Sequence, residues 1–386
     1  MSMNRRKFVR NLLVSGASVP VLTACGSSTS TQEAGQVLPG TPEDNLHIPD
    51  EPAVVHQPTE ELRFMVIGDM GTGGLGQYQV GAAMAALAAE QGCDFVLGTG
   101  DNIYEDGVRS VEDRRFLEMF EYPYQNLDVP FYMCLGNHDC ASTPFGGGSD
   151  NKRGDHQVAY HYTRNRYSNK WQMPGRYYRQ PLGELSATRP FLELFAVDSN
   201  PLTSFYPDLD PNFSWRNYGY PQQQWMRDAV RQSKAHWKIA FSHVPYLSNG
   251  KHGNAGNLDP GMRWLFTSPD ADGQRYKVFM EEAFAHQVDL VFTGHDHSLQ
   301  WLEPAPAMGP APIIVSGAGG KKDKFDDANR NPAVFQQENT LGFVWVKLTM
   351  DSMVIEFHAV SDNGVRQLVH RQEVVKPITT AAAVPA

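Results

Sequence analysis

Five times along this chain a short apolar run stops at a turn that carries a metal-binding type of residue. Leu62–Ile67 ends at Gly68-Asp69, Phe95–Leu97 leads to Gly100-Asp101, and Phe131–Leu135 ends at Gly136-Asn137-His138. Trp237–Phe241 ends at Ser242-His243, and Leu290–Phe292 at Gly294-His295-Asp296-His297. Runs of this length and composition read as buried strands. Helical spacing fills the gaps: Val80, Met84 and Leu87 within 78–90, Phe116, Met119 and Phe120 within 112–120, and Tyr276, Phe279 and Ala283 within 274–287. A further helix opens at Pro221, an N1 proline, with Trp225 and Ala229 expected inward. The β-α-β-α-β order of the first half implies parallel strands with right-handed crossovers. Leu192–Val197 resumes strand character. Ile313–Val315, Gly342–Leu348 and Val354–Val360 lie close in sequence and are expected to pair antiparallel. The architecture predicted is α/β: two mixed sheets face to face with helices outside, a four-layer α-β-β-α sandwich.

Ligands at the carboxyl ends of strands suit the binding edge of open α/β sheets. Asp101 can bridge two cations with its two oxygens, and Tyr104, three residues on, can offer a phenolate. Carboxylate and amide oxygens suit hard cations and imidazole suits iron, zinc and manganese, so a mixed set predicts two unlike metals or two oxidation states. Each position also has a plainer reading. Gly-Asp-Asn is an ordinary Asx-turn, Asn137 a turn residue, Tyr104 a packed aromatic, and a lone His243 or His252 a structural histidine. Asp139 and Asp296 read as groups that orient the ligands. His156, His161, His236, His286, His358 and His370 read as structural. Gly317, Gly319 and Gly320 either approach a phosphate or simply permit a turn.

The formal net charge of −10 argues against a nucleic-acid groove, because phosphate backbones select basic surfaces. A phosphate substrate stays compatible, since bound cations would dominate the local field. Residues 1–25 read as an export signal: Asn4-Arg5-Arg6-Lys7-Phe8 nearly matches a twin-arginine pattern, and Leu22-Thr23-Ala24-Cys25 resembles a lipobox whose cysteine would be acylated. Residues 26–60 read as a flexible tether, 61–375 as the folded domain and 376–386 as a low-complexity tail. No later segment is long and apolar enough to span a bilayer. Cys134 and Cys140 bracket the Asn137 turn and either pair or stay buried thiols. Residues 141–190 break the strand–helix rhythm. They are expected as a polar excursion whose tyrosines and Trp171 line a pocket mouth or pack on the body.

Taken in order, Gly68-Asp69, Gly100-Asp101-Asn102, Gly136-Asn137-His138-Asp139, His243 and Gly294-His295-Asp296-His297 resemble the calcineurin-like metallophosphoesterase superfamily. The wider superfamily has Asp-x-His at the first motif. Here it is Asp69-Met70-Gly71, and Tyr104 follows Asp101 instead, an exchange that resembles purple acid phosphatases of the tartrate-resistant type. Trp171-Gln172-Met173-Pro174, Asp198-Ser199, His252-Gly253 and Ser316-Gly317-Ala318-Gly319 extend the match. The resemblance implies the metallo-dependent phosphatase fold and a ferric site of Asp69, Asp101, Tyr104 and His297. A divalent site (iron, zinc or manganese) would use Asp101, Asn137, His243 and His295. It implies phosphomonoester hydrolysis by a metal-bound hydroxide, with the cations roughly 3.5–4 Å apart. His138 and His252 would neutralise phosphate or protonate the leaving group, and which of them gives the proton stays open. The expected protein is a periplasm-facing lipoprotein, a monomer, whose partner is a small phosphoester and not nucleic acid. A nucleotide or phosphodiester preference is the alternative, and a non-catalytic phosphate-binding lipoprotein is the alternative of another class.

Overall fold

The computed structural model describes residues 58–141, 147–205, 209–260 and 268–376. The export signal, Cys25, the tether up to residue 57, Gly146 and the tail from residue 377 lie outside the described residues. The elements run β1 (Glu61–Ile67), α1 (Leu75–Gln91), β2 (Phe95–Gly98), β3 (Phe131–Met133), α2 (Lys152–Tyr162), β4 (Trp171–Gln172), β5 (Tyr178–Ser186) and β6 (Arg189–Ala196). They continue α3 (Tyr220–Gln232), β7 (Trp237–Phe241), β8 (Gly253–Asn254), β9 (Asn257–Leu258), α4 (Gln274–Phe284), β10 (Leu290–Thr293), β11 (Leu299–Leu302) and β12 (Ile313–Ser316). The last four strands are β13 (Ala333–Gln337), β14 (Leu341–Thr349), β15 (Ser352–Val360) and β16 (Arg366–Val375).

Two seven-stranded mixed sheets carry the molecule, ordered β16-β15-β14-β1-β2-β3-β4 and β13-β11-β12-β10-β7-β6-β5. Their inner faces share one core, in which Phe64 stacks on Phe95 at 4.8 Å and meets Phe292 of the other sheet edge-on at 6.1 Å. Each such ring contributes about 1.5–3 kcal/mol by leaving water. Helix α1 covers the outside of the first sheet, its buried Val80, Met84 and Leu87 one turn apart. Helices α3 and α4 cover the second, where Met226, Val230, Tyr276 and Phe279 pack on Val291 and Ile313. This is the predicted four-layer sandwich.

Register sets the site. β1, β2 and β3 run parallel, with Ile67 opposite Gly98 and Gly98 opposite Met133, so the turns at Asp69, Asp101 and Asn137 leave one edge together. β7 and β10 are likewise parallel, with Phe241 opposite Phe292, which places His243 and His295 side by side. The two edges are bonded to each other: Ser316 Oγ donates to Val66 O at 2.8 Å, and Gly319 N–H to Gly68 O at 3.0 Å.

Several local expectations are corrected. The segment 112–120 is helical only from Arg115, continuing as a π-helical turn at Leu117–Glu121; Phe116 and Phe120 are buried as expected, and Arg115 is tied to Asp113 and Asp106. Ile313–Val315 pairs parallel with β10 and antiparallel with β11, not with the late hairpin. Trp225 is 40% exposed and Met226 takes the inward place. The stretch 141–190 contains α2, β4 and most of the β5–β6 hairpin rather than a loop. Its Trp171 and Tyr160 are core residues, while Tyr162 and Tyr167 are exposed. Cys134 and Cys140 are buried, unbridged thiols. Among the described residues no helix is long and apolar enough to cross a membrane.

Candidate metal centre

Asp69, Asp101 and His295 each follow a glycine and each has left-handed backbone, with φ of 56°, 51° and 69°. Non-glycine residues seldom adopt that region and pay strain there. Here it turns three side chains back over the strand ends. The glycines leave no room for more: a Cβ on Gly136 would fall on the Asp101 carboxylate, and one on Gly294 would stand 2.5 Å from Asp69 Oδ2.

One half of the site centres on His243. Its Nδ1–H donates to Thr99 O at 2.8 Å, so Nε2 keeps a lone pair. That nitrogen faces Asn137 Oδ1 at 2.9 Å, His295 Nδ1 at 3.1 Å and Asp101 Oδ1 at 3.4 Å. A proton can quiet one of these contacts but not all of them; a cation among them satisfies the set. The other half centres on His297, whose Nδ1–H donates to Asp323 Oδ2 at 2.6 Å. Its Nε2 faces the Tyr104 hydroxyl at 3.3 Å and Asp69 Oδ1 at 3.6 Å, and the hydroxyl is 3.1 Å from Asp69 Oδ1. Asp101 interacts with both Tyr104 and His243, which suits a bridging carboxylate, and His295 N–H donates to Asp69 Oδ2 at 2.8 Å to join the halves.

The electrostatics of the cluster fit missing positive charge. Burial, then the Asp101 charge, lifts the Asp69 carboxyl well above its usual range. Burial and the two carboxylates hold the Tyr104 phenol far up as well. Burial, then the neighbouring imidazoles of His252, His243, His297 and His138, holds His295 well below the ordinary histidine value. Hard oxygen donors and neutral imidazoles around one buried point are the donor set of a divalent or trivalent cation pair.

Supporting groups fix these positions. Buried Asp139 accepts from Asn102 N (3.1 Å), Ile103 N (3.0 Å), Gly136 N (2.9 Å) and Gln157 Nε2 (2.7 Å), locking the Asp101 turn to the Asn137 turn. Asp296 Oδ1 accepts from His252 N at 3.0 Å. The His252 ring lies 4.0 Å from that of His295, with Nδ1 donating to Asp259 Oδ1 at 2.8 Å. His138 donates from Nδ1 to Glu105 O at 2.7 Å and from its backbone to Asp101 Oδ1 at 2.9 Å. All nine expected site residues therefore come together. Gly317 and Gly319 serve close packing, since a Cβ on Gly317 would stand 2.9 Å from Asp69 Oδ2. His161, His236 and His358 bond Trp171 O, Met350 O and Glu356 instead. Sequence reasoning missed Asp259 and Asp323, which hold His252 and His297; no spacing rule ties either to its ring.

The calcineurin-like phosphoesterase family model matches residues 62–299. The chain belongs to that family. It is an enzyme, a metal-dependent phosphoesterase. Its likeness to purple acid phosphatases extends beyond the motifs: purple acid phosphatase 4 of Arabidopsis thaliana is 27% identical over 81% of this chain and 85% of the relative. Tartrate-resistant acid phosphatase type 5 of Sus scrofa is 27% identical over 78% of this chain and 84% of its own. Among solved structures, GAP50, the anchor in the inner membrane complex of Plasmodium, shares the phosphoesterase fold with a TM-score of 0.61 at 17% identity, covering 82% of this chain and 89% of that one.

Proposed function

We propose that this phosphoesterase is an acid phosphatase that hydrolyses phosphomonoesters at a dinuclear Fe(III)–M(II) centre. The observation that carries the reading is Tyr104: a buried phenol within 3.1 Å of Asp69 and 3.3 Å of His297 stands where Asp69-Met70-Gly71 offers no histidine. A phenolate favours a trivalent over a divalent cation. Asp69, Asp101, Tyr104 and His297 would hold iron(III); Asp101, Asn137, His243 and His295 would hold iron, zinc or manganese as the divalent ion. The named relatives, purple and tartrate-resistant acid phosphatases, support the same choice.

When bound, the cations supply Lewis-acid charge to the phosphate oxygens and make water a nucleophile near neutrality or below. Without them the cavity offers a phosphate little positive charge, because buried carboxyl groups of Asp69, Asp101, Asp139, Asp259 and Asp296 surround it. The chain contributes orientation and proton handling. His138 and His252 each have Nδ1 committed, to Glu105 O and Asp259 Oδ1, which leaves Nε2 for the substrate. One can hold a phosphate oxygen while the other gives the leaving oxygen its proton. We place the enzyme outside the cytoplasm, exported by the twin-arginine-like signal and held to a membrane by an acylated Cys25.

Metal analysis, a visible spectrum and steady-state hydrolysis of p-nitrophenyl phosphate and its bis ester test the reading. Iron with a phenolate band, and preference for the monoester, are expected. Preference for the bis ester, or a visible band that survives Tyr104→Phe, would refute it.

A further inference from the structure

Lys321 lies over Tyr104. Its ammonium is 3.5 Å from the centre of the tyrosine ring, a cation–π contact with a residue only 3% exposed. This is not a surface lysine that happens to lean inward. The backbone on either side is clamped to the two turns that carry candidate ligands: Gly319 N–H donates to Gly68 O at 3.0 Å, and Asp323 N–H to His297 O at 2.9 Å. Gly320, just before it, packs so tightly that a Cβ would stand 2.7 Å from Met70 O. Lys321 also pairs with Glu105 at 3.2 Å, and Glu105 in turn lies 3.4 Å from His138 Nδ1. The joint effect of these contacts is to hold one positive charge against the face of the one candidate phenolate ligand.

We propose that Lys321 is a positioning residue that acts through Tyr104, its ammonium over the ring setting how strongly the phenolate donates to the metal. The proposal rests on the reading that iron(III) sits at the Tyr104 end of the site. The face of an aromatic ring is electron-rich and attracts a cation. A phenolate ring carries more charge than a phenol ring, so the ammonium stabilises it more and lowers its filled π orbitals. A metal held by the hydroxyl oxygen would sit beyond the rim of the ring, whereas the ammonium lies 3.5 Å from the ring centre. The charge therefore lowers the ligand orbitals more than the metal orbitals. Removing it narrows the gap that sets the charge-transfer colour and makes the phenolate a stronger donor, which favours Fe(III) over Fe(II). Glu105 opposes this action as the counter-charge.

The iron-loaded protein and its Lys321→Met, Lys321→Arg, Glu105→Gln and Lys322→Met variants are compared by visible absorption and mediated redox titration, with iron content and thermal unfolding recorded beside them. Lys321→Met is expected to move the absorption maximum to longer wavelength. It should also raise the ferric-to-ferrous ratio at a fixed ambient potential about two- to fivefold, the worth of an ordinary cation–π contact. Lys321→Arg keeps the charge and the parent band. Glu105→Gln shifts the band the other way, and decides the matter if Lys321→Met does not load iron. Lys322→Met, which breaks only the Lys322–Asp362 pair, changes nothing. If the parent shows its phenolate band and neither Lys321→Met nor Glu105→Gln moves it, Lys321 does not tune the phenolate and the proposal is overturned while the ferric reading stands. If the iron-loaded parent shows no such band, the ferric reading itself fails and the proposal goes with it.

Discussion

Replacing Asp323 should loosen metal at His297 while leaving the fold in place. Asp323 Oδ2 receives the Nδ1–H of His297 at 2.6 Å and the ammonium of Lys251 at 2.6 Å. Burial alone would raise its carboxyl pKa, but these two bonds hold it below the usual range. The side chain is 35% exposed, so its loss opens no cavity. Asp323→Asn keeps an acceptor for the ring but removes the charge. A charge-assisted bond is roughly twice as strong as a neutral one, and its net worth is about 1.5–3 kcal/mol against about 1 kcal/mol. The difference, about 0.5–2 kcal/mol, centres near tenfold in metal affinity, the lower end of the 10–100-fold cost of removing such a partner. Asp323→Ala, which also frees the ring to turn, should approach about 100-fold. Competition against a chelator of known affinity measures both, and thermal unfolding of the metal-free protein records separately what the lost bonds cost the fold, about 0.5–1.5 kcal/mol. Asp362→Asn is the control, because it breaks an ion pair of the same 2.6 Å length with no ring behind it. Affinity of Asp323→Ala within twofold of the parent would show that His297 does not bind the metal.

His252→Ala should lower kcat by about 10²–10⁴ with metal content unchanged, read by single-turnover kinetics beside elemental analysis; Asp259→Ala, which only releases the ring, should cost less. Chelation should lower the unfolding temperature, and adding metal to 100 times its Kd should return about 2.7 kcal/mol; a metal-free protein as stable as the loaded one would argue that the lone pairs around His243 need no cation. Cys25→Ala should release the full-length protein from membranes, as read by fractionation, whereas continued membrane association would count against acylation.

The site was more legible than its surroundings because its signal is chemical. An apolar run followed by glycine and a ligand is visible wherever it falls, and parallel register then delivers the ligands to one edge. Helix α2 was not legible for the opposite reason. Its buried face is Gly154, Gln157 and Tyr160, so no apolar stripe marks it. Gln157 is buried to bond Asp139 and Asn102, a requirement set by residues far along the chain. Strand β4 escaped notice because it is only two residues long, though its Trp171 ring is wedged among Phe116, Phe120 and Tyr160 and its indole donates to Gln157 O. Helix α1 begins at Leu75, three residues before the expected start at 78, and the Gln77 side chain in its first turn accepts from Gly73 N–H at 2.8 Å. Asp259 and Asp323 are recognisable only once the rings they hold have been placed.

The bond from His295 to Asp69 spans 226 positions of sequence. Four of the seven candidate ligands, Asp69, Asp101, Tyr104 and Asn137, therefore belong to the early part of the polypeptide and three, His243, His295 and His297, to the late part, with neither group complete alone. A ribosome that has made only the first sheet's parallel strands has made three turns with nothing to grip. Cations can be captured only after the second sheet has emerged and docked, so loading is a late event in the life of the molecule, and a chain cut short before His243 would be expected to carry no metal at all.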